Sequence, residues 1–560
     1  MKSFTIFFIV LFGIVSLNLS AQNNPNFYLH ENGVTCMCPN AAIGETGTVK
    51  GVVYTKRTRD KITEINAATT CTSGITDMRS LFEGKLEGKS SFNSDISTWD
   101  VSNVKDMFKM FQGATTFNQP IGAWDVSNVK DMSYMFHHAY SFNQPLDNWN
   151  VSNVIKMSYM FYNASSFNQP IGNWDTRNVS NMGEMFRGAS LFNQPIENWD
   201  VSNVIEMSSM FREALFFNQP IGDWHTSNVK WMGYMFYNAS SFNQSIGNWD
   251  VSKVTSMNYM FYNASSFNQP IGAWDVSNVR SAIYMFSGAS SFNQPIGDWD
   301  VRNISYMFNM FQGATTFNQP IGNWDVSNIE HMSYMFQYAS SFNQPLGNWN
   351  VSNVRTMALM FDYARDFNQP IGEWDVSRVH NMQYMFHASS FNQPIGNWDV
   401  SNVGDMRYMF DDSPFNQPIG NWDVRGVYNM TGMFNRAVFF NQDLSNWCVK
   451  YEPLIFSEQS PLTNENKPKW GTCPAPSLSN QEFESLNSAT TIYPNPFTSS
   501  VKINLPENLQ VKQVQVLNAV GQTVFTSSET ELNLEHLSAG MYFVKINTNQ
   551  GVVTEKIIKN

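Results

Sequence analysis

The stretch Phe117–Ser141 reads FNQPIGAWDVSNVKDMSYMFHHAYS, and it recurs with small changes through most of a chain of 560 residues. Its tryptophan sets the period. Trp falls at 99, 124, 149 and on to 374 in steps of 25, then at 398, 422 and 447, so two steps are 24 residues long. Phe-Asn recurs in phase fifteen times, from Phe92-Asn93 to Phe440-Asn441, and Met-Phe fourteen times, from Met110-Phe111 to Met433-Phe434. A divergent half-unit, ITDMRSLF at Ile75–Phe82, precedes them. A fixed period of this size marks stacked repeats. One unit is too small to bury its own apolar face, so its neighbours must complete the core.

Each unit carries two spacings. Ile121, Trp124 and Val126 read as a turn followed by a short strand. Val129, Met132, Met135, Phe136, Ala139 and Phe142 are spaced 3, 3, 1, 3 and 3, which predicts a short helix. Ser127 stands at the expected N-cap, and Pro120 ends the helix before it. The shortened units lose a residue at Phe386-His387-Ala388, before the Ala column, and at Phe410–Phe415. Both losses fall at the end of the expected helix, where a surface connection tolerates change.

The repeat accounts for the composition. The chain holds 44 Phe, 31 Met and 17 Trp, with 15% aromatic and only 14% charged residues. So much apolar surface excludes disorder for most of the chain. No mature segment approaches the 18 or so apolar residues of a membrane span. A net charge of −12 gives a nucleic-acid binder no electrostatic support. Five Cys exclude a disulfide-dense scaffold.

The columns divide by chemistry. Trp, Met, Phe and Ala are core, with Ala282 standing where one unit would have its first Met. The Asn of Phe-Asn has no exception; Asn118, Asn143, Asn168, Asn193 and Asn218 are expected to form a structural ladder to the backbone of adjoining units. Asp follows Trp at Asp100, Asp125, Asp175, Asp200, Asp250 and Asp275 and at later positions, with Asn150, Asn350, His225 and Cys448 as exceptions. Each is read as an Asx-type bond to the Ser-Asn backbone after it. The competing reading is a row that binds Ca²⁺ or a cationic partner. Tyr134, Tyr159, Tyr234, Tyr259, Tyr284, Tyr334, Tyr384 and Tyr408 form a further column, read as row-wise aromatic contact or as a partly exposed surface for a protein or glycan.

The ends differ from the repeats. Met1–Gln22 (MKSFTIFFIVLFGIVSLNLSAQ) has a basic start, an apolar run and small residues before a cut after Ala21, the pattern of a secretory signal peptide over residues 1–21. Residues 22–74 are expected to cap the N-terminal end of the repeats, 75–447 to form them, and 448–474 to cap the other end. A Cys448–Cys473 disulfide would tie down that second cap and contribute about 3 kcal/mol. Cys71 pairs with Cys36 or Cys38, which leaves one Cys over. Residues 475–490 are polar and Ser-rich, a linker. Residues 491–560 alternate in period two and predict a small antiparallel sandwich.

The string FNQPIGNWDVSNV, with the Met-Phe and Phe-Asn that follow it, resembles the BspA-like leucine-rich-repeat surface proteins of bacteria. The resemblance covers roughly residues 28–474. It implies an α/β fold: a leucine-rich-repeat-like solenoid of about fifteen 25-residue repeats, each a short parallel strand plus a short helix, capped at both ends and followed by a small all-β sandwich. YPNPF at Tyr493–Phe497, Gly521, LSAGMYFVKI at Leu537–Ile546 and the terminal EKIIKN resemble the type A C-terminal sorting domain. In Bacteroidetes that domain implies passage through the type IX (Por) secretion machinery. The expected location is therefore the cell surface or the extracellular space.

No catalytic residues come with either resemblance. The eight His (30, 137, 138, 225, 331, 380, 387 and 536) show no metal-ligand spacing, and no nucleophile elbow or phosphate loop is present. Near-identical units supply like residues over a long surface, whereas catalysis needs unlike residues in one place. The expected function is a non-catalytic binding or adhesion module without cofactor, its partner an extracellular protein or glycan. A structural spacer or coat protein is the alternative, and an accessory factor for glycan capture or hydrolysis is a third. The pairs after the Val column, such as Lys130-Asp131 and Ile155-Lys156, vary without evident bias, which favours the spacer or an adhesin of low specificity.

Overall fold

The computed structural model describes residues 24–84, 90–473, 490–505, 510–519, 521–549 and 552–560. The expected signal peptide and nearly all of the expected linker lie outside the described residues. Residues 1–468 and 469–560 form two compact units.

The α/β leucine-rich-repeat expectation is overturned. Among the described residues the regular structure is nearly all β, and the only helical pieces are two three-residue 3₁₀ turns, Arg59–Lys61 and Ala67–Thr69. Neither lies in a repeat, so the unit is not a strand plus a helix. It is a chain of tight turns instead. Trp124, Val129, Met135, His137, Ala139 and Phe142 each donate their N–H to the carbonyl three residues back. The residues between them donate outward: Met132, Tyr134, Phe136 and His138 bond to the carbonyls of Lys156, Ser158, Met160 and Tyr162 in the next layer at 2.7–3.0 Å. An α-helix would spend all of these donors four residues back on itself. Here alternate donors join layers, with single-residue parallel bridges such as Asp106↔Asp131 and Asp131↔Lys156.

Backbone handedness enforces the difference. Tyr134 (φ 60°) and His138 (φ 58°) are left-handed, and so are Tyr159 and Asn163, Tyr234 and Asn238, and Tyr259 and Asn263 in their own layers. A left-handed L-residue costs about 1–2 kcal/mol and stops a right-handed helix. Both positions donate to the next layer, and those bonds offset the strain. Gly188, Gly288 and Gly313 take the second position elsewhere, where the absent Cβ removes the penalty. Three-residue turns point every third residue inward. The same 3-3-1-3-3 apolar spacing therefore serves a turn ribbon as well as a helix.

The columns become continuous internal stacks. Ile121, Trp124, Val126, Val129, Met132, Met135, Phe136, Ala139 and Phe142 are all at most 3% exposed. Trp124 and Trp149 stack with centroids 6.5 Å apart and planes 3° from parallel, and Phe136 lies 4.0 Å from Phe142. Each buried indole N–H needs an acceptor; Trp124 Nε1 finds the Ile96 carbonyl of the preceding layer at 3.2 Å, and later tryptophans repeat the bond.

The two ends imitate layers. The N-terminal segment holds β1 (Tyr28–Leu29) with β2 (Cys36–Met37), and β3 (Thr46–Val49), β4 (Val52–Lys56) and β5 (Thr70–Cys71) in one sheet. Its Ala67 carbonyl accepts the Trp99 indole N–H, as a preceding repeat would. At the other end, Gly432, Phe434 and Arg436 donate to the carbonyls of Ile455, Phe456 and Glu458. The second unit contains β6 (Thr491–Tyr493), β7 (Ser500–Asn504), β8 (Val511–Leu517), β9 (Thr523–Ser527), β10 (Glu531–Asn533), β11 (Gly540–Thr548) and β12 (Val552–Lys559). They form antiparallel sheets of order β10-β7-β6 and β12-β11-β8-β9 around Val501, Ile503, Val514, Val544 and Ile546.

The shortened layers are built differently from the sequence expectation. Ser389 and Ser413, both buried, occupy the Ala column, while Ala388 takes the left-handed position before it. The lost residue thus follows the Ala column. In a full layer the Phe N–H bonds to the Ala carbonyl; in these two, Phe391 and Phe415 donate to Ser389 Oγ (3.4 Å) and Ser413 Oγ (3.2 Å).

Candidate functional site

The Pro-Ile-Gly-Asn segments line up as an open trough of roughly 630 Å³ running from Gly272 to Pro370. Its floor is Pro295, Pro320, Pro345 and Pro370 with Gly297, Gly322 and Gly347, and its polar groups are Asp298, Asn323 and Asn348. Glycine is required there by close approach: a Cβ on Gly322 would lie 2.6 Å from the Pro345 carbonyl oxygen. A second hollow of roughly 520 Å³ on the same columns is lined by Gly172, Asn173, Asp175, Arg177, Asn198 and Asp200.

The Asp column borders the second hollow through Asp175 and Asp200. Asp125, Asp200, Asp250 and Asp275 each accept the backbone N–H two residues on through Oδ1, at 2.9–3.0 Å. Asp100 does so at 3.1 Å and is buried, and Asp175 at 3.3 Å. Hydrogen bonds from Ser202 and Ser252 hold the Asp200 and Asp250 carboxyls below the usual range. Arg177, Arg302 and Arg425 neutralise Asp175, Asp300 and Asp423 at 2.6–2.8 Å. Among the described residues no group of three or more His, Cys, Asp or Glu is placed to hold a metal ion.

The Asn column forms an interlayer ladder. Asn118 Oδ1 accepts the Asn143 N–H at 2.9 Å and the Gln144 side chain at 3.0 Å, and Asn143, Asn168 and Asn193 repeat both bonds one layer on. Asn218 serves Asn243 and Gln244. A second ladder was not singled out in the sequence: Asn128, Asn153 and Asn178 donate to the Ser102, Ser127 and Ser152 carbonyls at 2.7–2.8 Å. Its signal was the Ser-Asn pair that recurs after Val.

Tyrosines form half-buried rows. Tyr134 stacks on Tyr159 at 4.3 Å, Tyr234 on Tyr259 at 4.6 Å, Tyr259 on Tyr284 at 4.7 Å and Tyr384 on Tyr408 at 4.8 Å. A neighbouring row pairs Tyr237 with Tyr262, and the Arg212 guanidinium lies 4.4 Å over Tyr237. Both faces of an inner ring are covered, so the row turns ring edges and hydroxyls outward.

A buried polar line crosses the later layers on that side. Gln312 Nε2 donates to Gln337 Oε1, Gln337 Nε2 to Asp362 Oδ2 at 2.7 Å, and His387 sits between Asp362 (2.6 Å) and Asp411 (3.5 Å). Arg436 closes it on Asp411 at 2.7 Å. The sequence reading counted His387 among scattered histidines. The available signal was the run Gln312, Gln337, Asp362, His387, Asp411 at one position of successive units, where Tyr162, Arg187, Arg212, Tyr237 and Tyr262 stand in earlier ones. None of the hollows described here reaches it.

Among the cysteines, Cys38 and Cys71 are bridged with Cα atoms 6.3 Å apart. Cys36 is free and buried, and burial pushes its thiol up to about 12. Cys448 and Cys473 are each disulfide-bonded.

No helix among the described residues is long and apolar enough to cross a membrane. No curated protein matches the chain. Residues 491–560 match the family described as "Secretion system C-terminal sorting domain". That tail implies a Bacteroidetes origin and export by the type IX machinery to the cell surface or extracellular space. The family described as "Mycoplasma protein of unknown function, DUF285" matches in overlapping copies at 53–173, 156–269, 242–339, 296–390, 317–414 and 370–470. With well over half of its length matched, the chain belongs to this DUF285 family, the BspA-like repeats, and carries a sorting tail behind them.

Proposed function

We propose that this secreted repeat protein is a non-catalytic binding or adhesion module that meets an extracellular protein or glycan. One observation carries the reading: the same outward chemistry recurs in register from layer to layer. It gives repeating faces, the Pro-Gly-Asn trough and short tyrosine rows of two or three rings, rather than one pocket of unlike reactive groups. The buried Asp362–His387–Asp411 line supports a structural role and not an active centre, because its groups are spent on one another. The spacer reading draws on the ladders, which consume most repeated polar groups in holding layers together. Binding of the purified secreted protein to an array of matrix proteins and glycans separates the two. Saturable binding to at least one at micromolar concentration is expected; uniform absence of binding would leave the spacer.

A further inference from the structure

One member of the Asp column is cut off from solvent. Asp125, Asp200, Asp250 and Asp275 are exposed, and Arg177, Arg302 and Arg425 neutralise three others. Asp100 is only 4% exposed. The N-terminal loop of residues 30–37 lies over it, pinned to the first repeat by the Cys36 N–H on the Thr98 carbonyl at 2.8 Å. Asp100 Oδ1 accepts the Ser102 N–H at 3.1 Å and the Ser102 hydroxyl at 2.7 Å. Its Oδ2 is buried without a hydrogen-bond partner, and among the described residues the carboxylate makes no ion pair. A buried anion in that state is costly until a donor or a cation reaches it.

Asp100 lines a hollow of roughly 50 Å³ between that loop and the first two tryptophan layers. This is room for one small ion and a water or two. It is far below the roughly 300 Å³ at which pockets for organic ligands begin. Apart from the exposed His30, the polar lining is oxygen-bearing: Asn32, Thr35, Asp100, Ser102 and Asp125. Asp125 spends Oδ1 on the Ser127 N–H and keeps Oδ2. The Thr35 hydroxyl accepts one bond, from Asn32, and keeps a lone pair. We infer that this hollow binds one calcium ion, which joins the N-terminal loop to the first repeat. A divalent cation neutralises both carboxylates at once and partners the buried Oδ2. Two carboxylates with neutral oxygens suit a hard cation and not a transition metal, in keeping with the lack of any cluster of three His, Cys, Asp or Glu among the described residues. Calcium accepts hydroxyls and waters in irregular arrangement, whereas magnesium demands an octahedron and keeps its waters. The loop is already shaped for binding, since Asn32 Oδ1 accepts the Val34 and Thr35 N–H groups at 3.0 Å. The site stands apart from the binding role proposed above.

The test is a terbium titration of the full secreted protein at pH 8. Trp99 lines the hollow and sensitises the luminescence of a Tb³⁺ ion bound there. One site per chain is expected. Ca²⁺ should displace Tb³⁺ with an affinity of roughly 0.1–1 mM, the range of extracellular modules, and Mg²⁺ should do so far less well. Ca²⁺ should also raise the melting temperature of the parent. Asp100→Asn keeps an acceptor for Ser102 and should lose both responses. Asp125→Asn, at an exposed position, should weaken calcium binding roughly tenfold or more. Asp325→Asn, an exposed member of the same column, should change neither response. No sensitised luminescence in the parent, an undiminished response in Asp100→Asn, equal displacement by Mg²⁺, or several equivalent ions per chain overturns the inference. Should Asp100→Asn fail to fold, unchanged calcium affinity in Asp125→Asn overturns it as well.

Discussion

His387 Nδ1 lies 2.6 Å from Asp362 Oδ1, one layer away, and its Nε2 lies 3.5 Å from Asp411 on the other side. Both carboxylates are 3% exposed. Removing Asp411 takes the acceptor from Arg436 and Asn435 and the second carboxylate from beside His387, which keeps only Asp362; loss of a buried charged partner costs more than a surface ion pair is worth. Asp411→Ala should therefore destabilise the repeat unit by about 3 kcal/mol, read from the urea midpoint. A loss within about 0.5 kcal/mol would show that the line is not coupled.

Gly313 separates a turn ribbon from a helix by the sign of one substitution. Its φ is 68°, and a Cβ there would meet nothing nearer than 3.6 Å, so only conformational strain is added. Gly313→Ala should cost about 1 kcal/mol. In a helix interior the same change would stabilise by about 1 kcal/mol. Thermal melting decides between the two.

Ser413 should matter through its hydroxyl. Ser413→Ala leaves the buried Phe415 N–H without its 3.2 Å acceptor, a loss of about 1–3 kcal/mol. Inserting one residue before Phe415 in that variant restores the full-length turn, and with it the carbonyl acceptor. Denaturation midpoints of the pair should show loss and then recovery.

Asn143 Oδ1 accepts both the Asn168 N–H and the Gln169 side chain. Asn143→Ala should cost about 1–3 kcal/mol, while Asn143→Asp keeps the acceptor and should cost less. Equal losses in the two variants would contradict the ladder.

His137 stacks on Tyr162, and burial lowers its pKa to about 4 from 6.5. Folding thus favours the neutral ring. That contribution is complete above pH 6.5 and is lost as pH falls toward 4. His137→Gln should flatten the dependence of melting temperature on pH across this window; an unchanged slope would exclude His137 as its source.

The period, the core columns and the Asn ladder were legible because they depend only on recurrence. Helix and turn ribbon were not distinguished, because both turn residues spaced by three inward. The discriminating mark is small: Asn or Gly at 163, 188, 238, 263, 288 and 313, just before Ala, which a left-handed backbone favours and a helix interior does not. The polar line through His387 was obscured for a different reason. Its members are unlike one another, and reading by columns rewards likeness.

That unlikeness has a consequence for how the chain finds its own order. Near-identical layers can skip a partner, since Trp124 would stack on Trp174 nearly as well as on Trp149. Gln337, Asp362, His387, Asp411 and Arg436 do not allow the exchange. A chain that looped out the His387 layer would bring the Asp362 and Asp411 carboxylates face to face in the interior. The line serves as a set of serial numbers on otherwise interchangeable parts, and it makes skipped-layer assembly costly where it runs.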